Sequence, residues 1–265
     1  MPLDCRLIID PPAPGAWNMA VDDALLQSVA EGGRPTLRLY QWSEPTLSLG
    51  YFQSYSDRDR HEPSRSLPCV RRRTGGGAIV HDHELTYSLC LPTDSALARD
   101  HRALYCKAHR AVIAAVGQLG GEVSRLTLCD PDRTTGRSDE PFLCFLRRSD
   151  GDLLVQGPPP GGVNSPGVAG RYKVGGSAQR KLRGALLQHG SVLVQQSVMA
   201  PELPGLSELG VTDASVDRLA GSLTRQLQEQ LGLAGRSSQL TASEQAAIRS
   251  LIDSHHTSAT WLRKR

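Results

Sequence analysis

The chain has 265 residues, of which 39% are hydrophobic and 22% are charged. That composition predicts a globular protein with one substantial core, and a formal net charge of +3 is too small to indicate nucleic-acid binding. No apolar run approaches the roughly 18 residues of a membrane span, and the first ten residues lack the pattern of a signal peptide. We therefore expect a cytoplasmic protein that binds neither nucleic acid nor membranes.

Six cysteines are scattered along the chain without C-x-x-C or C-x-x-H spacing. We therefore expect free thiols rather than a zinc site or another metal site. Most free cysteines fill small core positions, and one or two of them can act as a nucleophile. The six are Cys5, Cys69, Cys90, Cys106, Cys129 and Cys144.

The first half of the chain alternates predicted helices and strands. A first helix is predicted over Asn18–Val29, with Asp22 and Asp23 near its positive end. A second helix is predicted over His101–Leu119 from the spacing of its apolar residues. β-Branched and apolar residues predict strands over Thr36–Tyr40, Thr46–Gly50, Pro68–Val70 and Ala78–Leu91.

The second half carries shorter signals. Loops are predicted over Cys129–Glu140 and over Gly157–Gly170, which holds four prolines and five glycines. The predicted strands are Phe142–Phe145, which would pair with Asp152–Val155, and then Tyr172–Gly176 and Gly190–Val194. A helix is predicted over Ala214–Leu231, and a second one begins at Thr241–Glu244, which has the capping-box pattern. This order predicts a mixed α/β (α+β) fold, with a catalytic domain over 1–200 and a small helical region over 201–265 packed on it.

The stretch from Arg71 to Tyr87 carries most of the functional signal. Three arginines run into Thr74 and then three glycines. Glycines let another molecule approach the backbone, and successive N–H groups in such a turn suit an anion or a carbonyl oxygen. Arginines add fork-shaped donors for a phosphate. The segment is therefore suited to hold an acyl group and its phosphate-bearing carrier, although three glycines are also typical of a hairpin turn and three arginines of a solvated edge strand.

Two further segments carry reactive groups. Lys173 leads into Gly-Gly-Ser-Ala, which suits a lysine delivered to a pocket beside a closely approaching backbone. A lysine there can polarise a carbonyl, stabilise a nearby thiolate or manage an amine's proton; a surface lysine before a turn is the plainer alternative. Cys144, within Pro141–Phe145, carries the third group, because a thiolate exchanges with a thioester at almost no thermodynamic cost.

Together these segments resemble the lipoate/biotin ligase and octanoyltransferase superfamily, and within it the LipM-type octanoyltransferases. The matching residues extend over most of the chain and follow the family's order. They are Asn18–Asp22, Leu37–Trp42 with Pro45–Gln53, Arg71–His81 with Glu84–Ser88, Lys173–Gln179 with Leu187–Ser191, and Trp261–Arg265.

The resemblance implies a mixed sheet packed with helices and an acyl tunnel between the glycine turn and the lysine segment. It implies Cys144 and Lys173 as catalytic residues. It implies substrate-binding roles for Arg71, Arg72, Thr74, Gly75, Gly76, Gly77, His81, Gly176, Ser177 and Ala178. Cys144 and Lys173 are 29 positions apart, more than the family's interval, and the excess coincides with the Gly157–Gly170 loop.

The implied activity is transfer of octanoyl from octanoyl-acyl carrier protein to a lysine of a lipoyl domain, through a cysteine thioester and without a cofactor. The acceptor would be a glycine cleavage H protein or a 2-oxoacid dehydrogenase E2, and the enzyme a monomer. Alternatives are an ATP-dependent lipoate-protein ligase, which would use ATP and Mg, and an octanoyl amidotransferase between lipoyl domains. The arginines do not decide between these, because they would either steer an acidic carrier or bind an adenylate phosphate. Biotin ligases are disfavoured, since their Gly-Arg-Gly-Arg-type loop is absent.

Overall fold

A computed structural model describes residues 1–130, 141–157 and 170–265. Within these ranges the strands are β1 (Leu3–Ile9), β2 (Thr36–Tyr40), β3 (Thr46–Leu49), β4 (Cys69–Arg71), β5 (Ile79–His81), β6 (Glu84–Pro92), β7 (Leu126–Leu128), β8 (Leu153–Gly157), β9 (Gly170–Leu182), β10 (Ala185–Leu193) and β11 (Leu233–Ser237). The α-helices are α1 (Gly15–Ala30), α2 (Ala96–Arg99), α3 (His101–Gly117), α4 (Val216–Leu231), α5 (Ala242–Leu251) and α6 (Ala259–Leu262).

Eight of these strands form one mixed sheet in the order β11-β1-β2-β6-β10-β9-β8-β7. The three strands β11, β1 and β2 run parallel, and every other neighbouring pair is antiparallel. Successive side chains of a strand point to opposite faces. Accordingly Leu89 and Leu91 of β6 pack toward α3 and α4, whereas Cys90 between them packs toward α1 and α5. Helices therefore cover both faces of the central strands.

A second sheet, β4-β3-β5, packs beside the first. Its outer strands β4 and β5 are joined by the glycine turn, and only Asp82 and His83 separate β5 from β6 in the main sheet. Its apolar face forms a separate core with Phe142, Leu143 and Phe145. The chain thus crosses from one sheet to the other directly after the glycine turn.

Most predicted elements are confirmed, although β9 and β10 extend several residues beyond their predicted bounds, and three expectations are wrong. The predicted strand Ala78–Leu91 is broken at Asp82, because β5 and β6 belong to different sheets. Phe142–Phe145 does not pair with Asp152–Val155: Cys144–Leu146 is a single 3-10 turn, and β8 pairs with β7 and β9. Asp22 lies near the middle of α1, which begins at Gly15, so it is not near the helix dipole's positive end.

The chain after residue 200 is not only helical. It contains β11, which pairs in parallel with β1 from Leu3↔Leu233 to Leu7↔Ser237. The predicted loop residues 131–140 and 158–169 lie outside the described residues. In the described ranges no helix combines the length and apolar character needed to cross a membrane.

Candidate functional site

A cavity with an empty volume of about 510 Å³ lies between the two sheets. Its walls come from the glycine turn, the 3-10 turn at Cys144, and strands β2, β3, β5, β6, β9 and β10. The lining is mostly apolar, with polar groups at a few positions, which is the usual character of a small-molecule site. The lining residues are Met19, Tyr40, Trp42, Ser48, Arg72, Gly75, Gly76, Ile79, His81, Thr86, Cys144, Phe145, Lys173, Gly176, Ser177, Ala178, His189, Gly190 and Ser191.

The glycine turn presents its backbone to this cavity. Gly76 has a φ of +93°, a left-handed conformation that favours glycine. A Cβ added to Gly76 would lie 3.8 Å from Cys144 Sγ. Among the described residues, the N–H groups of Gly75, Gly76 and Gly77 have no hydrogen-bond acceptor in the protein. The turn therefore offers unused donors next to a thiol.

Arg72 holds that turn in shape. Its guanidinium donates to the carbonyl oxygens of Ser48 at 2.9 Å, Gly75 at 2.9 Å and Gly77 at 2.6 Å. Burial lowers the pKa of Arg72 to about 10, so the group remains a cation at neutral pH. Arg72 is thus a structural staple that also borders the cavity.

Cys144 is placed by a short bridge to the strand that follows the turn. Ala78 N–H donates to Phe142 O at 3.0 Å, and Cys144 N–H donates to Ala78 O at 2.7 Å. These bonds fix the start of the 3-10 turn against β5. Cys144 is half-buried, as a thiol must be if it meets a substrate.

Lys173 reaches Cys144 because β9 bulges. Leu153 pairs with Gly175 and Leu154 pairs with Lys173, which leaves Val174 without a partner on β8. A bulge re-aims the neighbouring side chains. Lys173 is only 6% exposed, and its Nζ lies 3.8 Å from Cys144 Sγ and 3.3 Å from Cys144 O. A Cβ on Gly176 would lie 2.7 Å from Lys173 Cε, so only glycine leaves room for this lysine.

Asp152 is the anion that accompanies Lys173 in the protein interior. Lys173 Nζ lies 2.8 Å from Asp152 Oδ2, and both groups are buried. Burial lowers the pKa of Lys173, but the negative charges of the Cys144 thiolate and the Asp152 carboxylate outweigh it and raise the pKa above its ordinary value. Lys173 is therefore an ammonium throughout the physiological range.

A second set of hydrogen-bonded polar side chains extends from α3 to the cavity. His109 Nδ1 is 2.6 Å from Gly151 O, so it carries the proton, and His109 Nε2 accepts from Ser177 Oγ at 2.7 Å. Burial lowers the pKa of His109 to about 4, which keeps the ring neutral. Tyr105 of the same helix donates to Asp152 Oδ1 at 2.7 Å. α3 thus supports both Ser177 and the anion of the lysine pair.

The far wall of the cavity is formed by buried polar and aromatic groups, in which Glu84 Oε1 is hydrogen-bonded and Glu84 Oε2 has no partner among the described residues. His81 donates to Glu84 at 2.6 Å and stacks on Trp42 with ring centroids 3.8 Å apart. Burial lowers the pKa of His81, despite the attraction of the Glu84 carboxylate. Glu84 is therefore buried and structural, and His81 forms part of the cavity wall.

Nine of the twelve residues named from the sequence lie on the cavity; Arg71, Thr74 and Gly77 do not. Arg71 is buried, and its guanidinium donates to the carbonyls of Gly50, Gln53 and Leu262 at 2.7–3.0 Å. The expectation that Arg71 contacts substrate phosphate is corrected on this ground, because its donors are committed to backbone.

Thr74 and Gly77 support the turn instead of lining the cavity. Thr74 Oγ1 lies 2.7 Å from His189 Nε2, whose other nitrogen lies 3.1 Å from Asp22 Oδ2. Gly77 lies against the Arg147 side chain and offers its carbonyl to Arg72. Asp22 therefore braces the glycine turn rather than capping α1.

Asp152, His109 and Tyr105 are the site residues that the sequence did not reveal. Each belongs to a segment without a motif, and only the fold brings it to Lys173 or Ser177. A carboxylate is required wherever an ammonium is buried, but nothing in the spacing indicates which acid supplies it. In the described part of the chain, no group of three His, Cys, Asp or Glu side chains is placed to hold a metal ion.

Comparison with known sequences identifies similar proteins. The family model described as lipoyl protein ligase A/B catalytic domain matches residues 14–232. An octanoyltransferase LipM of Oceanobacillus iheyensis is 35% identical over 191 residues, which cover 71% of this chain and 63% of the relative. An octanoyltransferase LipM of Geobacillus kaustophilus is 28% identical, with 95% of both chains covered.

Solved structures share the fold at low sequence identity. A bi-partite lipoate protein ligase from Thermoplasma acidophilum, studied with its E2 lipoyl domain, superposes with a TM-score of 0.71 at 21% identity, covering 98% of this chain and 96% of that one. A lipoate-protein ligase A bound with ATP gives a TM-score of 0.72 at 22% identity, covering 99% of each chain. At these identities the likeness establishes the mixed α+β fold alone.

Proposed function

Since this chain belongs to the lipoyl protein ligase A/B catalytic domain family, we propose that it is a protein octanoyltransferase. The proposed reaction moves octanoyl from octanoyl-acyl carrier protein to a lysine of a lipoyl domain. The observation that carries the proposal is Cys144 Sγ, 3.8 Å from the Lys173 ammonium and beside unused backbone donors. The curated relatives named octanoyltransferase support it, although the chain spans less than two thirds of the first of them.

The first half-reaction forms an acyl-enzyme. The Lys173 ammonium attracts the Cys144 thiolate, and the thiolate attacks the carbonyl carbon of the donor thioester. The N–H groups of Gly75 and Gly76, which line the cavity and have no acceptor among the described residues, stabilise the oxyanion as it develops. Ser177, which also lines the cavity, donates its N–H to Tyr105 Oη at 3.3 Å, so that N–H is less suited to the oxyanion. Collapse breaks the donor's C–S bond, and its thiolate leaves and takes up the proton that Cys144 released.

The second half-reaction forms the amide. The neutral amine of the acceptor lysine attacks the carbonyl carbon of the Cys144 thioester, and the C–S bond breaks. The proton lost by the new amide nitrogen passes to the departing Cys144 sulfur, which restores the thiol. An amide is much more stable than a thioester, so the step runs downhill without a nucleotide. Asp152 holds Lys173 as an ammonium throughout, so Lys173 acts here as a fixed positive charge rather than a base.

A ligase would need cations free to bind an acyl-adenylate phosphate. Arg71, Arg72 and Arg73 were the candidates for that role. Arg71 and Arg72 direct their guanidinium groups to backbone carbonyls, and Arg73 pairs with Asp23. This geometry favours transfer from an activated thioester over adenylation with ATP and Mg. Absence of a cofactor, a cytoplasmic location and a monomeric state stay predictions from the sequence.

Intact-protein mass spectrometry tests the proposal. We would mix the protein with octanoyl-acyl carrier protein without ATP and expect one hydroxylamine-sensitive octanoyl adduct. Cys144→Ala should lose the adduct. Cys69→Ala is the matched control, because burial raises the pKa of the half-buried Cys69 thiol to about 11 and it should not react. An adduct that persists in Cys144→Ala, or lipoyl-domain acylation only with free acid and ATP, would refute the proposal; adduct formation only from an octanoylated lipoyl domain would indicate an amidotransferase.

A further inference from the structure

A cluster of cations and aromatic rings lies beside the glycine turn, outside the cavity. We call it the basic-aromatic patch, formed by Tyr51, Phe52, Arg180, Arg263, Lys264 and Arg265. Resting on the proposed function, we propose that this patch docks the acidic carrier protein that delivers the acyl thioester on its phosphopantetheine arm.

The cations of the patch gather on aromatic faces. Lys264 Nζ lies 4.1 Å from the Tyr51 ring centroid, and the guanidinium carbons of Arg180 and Arg265 lie 5.3 Å and 5.6 Å from it. Arg265 also lies 5.2 Å from the Phe52 ring. Ring faces attract cations, so they hold together groups that repel one another.

No acid offsets this charge in the described residues. None of the four patch cations lies within 4.0 Å of a described carboxylate, whereas exposed arginines elsewhere do: Arg34 pairs with Asp4, and Arg218 pairs with Asp213. Phe52, 68% exposed, adds a large apolar surface beside Tyr51. A positive surface without ion pairs, together with an exposed aromatic ring, suits a negatively charged protein partner.

The patch borders the entrance to the reactive thiol. The Phe52 ring lies 3.7 Å from the position of a Cβ on Gly75, which lines the cavity. Tyr51 N–H donates to Thr74 O at 2.8 Å, at the start of the glycine turn. A carrier seated here would direct its arm along the turn toward Cys144.

The patch is also held in place before any partner arrives. Arg71 donates to Leu262 O, Trp261 Nε1 donates to Arg71 O at 2.9 Å, and Tyr55 N–H donates to Arg265 O at 2.8 Å. Partner binding therefore costs little ordering of the backbone. Because Arg71 and Arg72 are buried, the steering role that the sequence assigned to them passes to the patch, in which Arg263, Lys264 and Arg265 are exposed and Arg180 is half-buried.

Charge reversal of Lys264→Glu with Arg265→Glu tests the inference. The matched control is Lys107→Glu with Arg110→Glu, which changes the net charge equally at two exposed positions of α3. Single-turnover acyl-enzyme formation would be measured with two donors: octanoyl-acyl carrier protein, and octanoyl-pantetheine, which lacks both protein and phosphate.

With the carrier donor, the concentration giving half-maximal rate should rise at least about tenfold in the patch variant and little in the control. With octanoyl-pantetheine, the patch variant should react as the parent does, which also shows that it is folded. If the rate of the patch variant depends on carrier concentration as the parent's does, the inference is overturned. A defect confined to transfer onto the lipoyl domain would also overturn it, because the patch would then bind the acceptor. A parent protein that forms no acyl-enzyme from either donor would overturn the proposed function itself.

Discussion

Replacing Asp152 by Asn would leave Lys173 as a buried cation without its carboxylate, in contact with the Cys144 carbonyl and sulfur. Removing one partner of a buried ion pair costs about 3–5 kcal/mol of folding free energy. Lys173 can instead release its proton, but at pH 7 a lysine of ordinary pKa near 10.4 pays about 4.6 kcal/mol for that. Neither route avoids the cost, so we expect Asp152→Asn to lower the free energy of unfolding by about 3–5 kcal/mol.

Urea unfolding at pH 7 measures the loss. Asp150→Asn provides a matched control two residues away, where the carboxylate pairs with Arg102 at the surface. Exposed pairs contribute about 0–1 kcal/mol, so the control should differ little from the parent. The double variant Lys173→Met with Asp152→Asn removes both charges and should recover part of the stability.

Two outcomes would refute this reasoning. Equal small losses for Asp152→Asn and Asp150→Asn would mean that the lysine pair is hydrated rather than buried. A double variant less stable than Asp152→Asn alone would mean that packing of the Lys173 stem, rather than its charge, dominates the site.

Three further changes test other parts of the site. Gly76→Ala and Gly32→Ala both force a φ above +90° on alanine, so each should lower the free energy of unfolding in urea by about 1–2 kcal/mol. Only Gly76→Ala should slow acyl-enzyme formation, by at least about tenfold. Equal rates of acyl-enzyme formation in the two variants would count against the oxyanion role. The folded-state pKa of His109, about 4, lies below its ordinary value of 6.5, so the unfolded chain binds more protons between these values. The free energy of unfolding should therefore fall by on the order of 3 kcal/mol as pH drops through that window. An unchanged pH dependence of stability in His109→Gln would contradict this. Arg71→Met should lower the free energy of unfolding by about 3 kcal/mol, because the Leu262 carbonyl loses its buried donor. Trypsin should also cleave faster at Arg263. Unchanged resistance to trypsin would show that Arg71 does not anchor the segment around Leu262.

Local patterns in the sequence predicted the elements whose cause is local. The period of apolar residues gave α3, the capping box gave the start of α5, and three successive glycines gave the turn that approaches Cys144. These features depend on neighbours a few positions apart, which a sequence displays directly.

Features that depend on distant partners escaped prediction. β11 reads Leu-Ala-Gly-Arg-Ser, which has no alternation typical of a strand, and it forms only because β1 offers an edge. The bulge at Val174 is set by register against β8, so the sequence does not show that Lys173 turns inward. Asp152 directly precedes β8, so the pairing of β8 with β9 also brings its carboxylate to Lys173.

The triple arginine shows why a motif does not define a role. Its three members have different fates: Arg71 anchors the segment at Leu262, Arg72 staples the glycine turn, and Arg73 pairs with Asp23 of α1 at 2.6 Å. β4 ends at Arg71, and Arg72 and Arg73 follow it in the turn, so the chain direction changes along the run and the three side chains reach different surroundings. A run of like residues therefore need not share a function.

The parallel pairing of β1 with β11 has a consequence for biosynthesis. β1 finds β2 within the first 40 residues, but its other edge has no partner until residue 237 has been made. At ordinary synthesis rates that interval lasts roughly 10–40 s, during which an open strand edge can capture another chain. Arg6, in the middle of β1, later pairs with Glu244 of α5. Until that helix emerges from the ribosome, Arg6 lacks its carboxylate partner, and a charged side chain on an edge strand disfavours pairing with another chain.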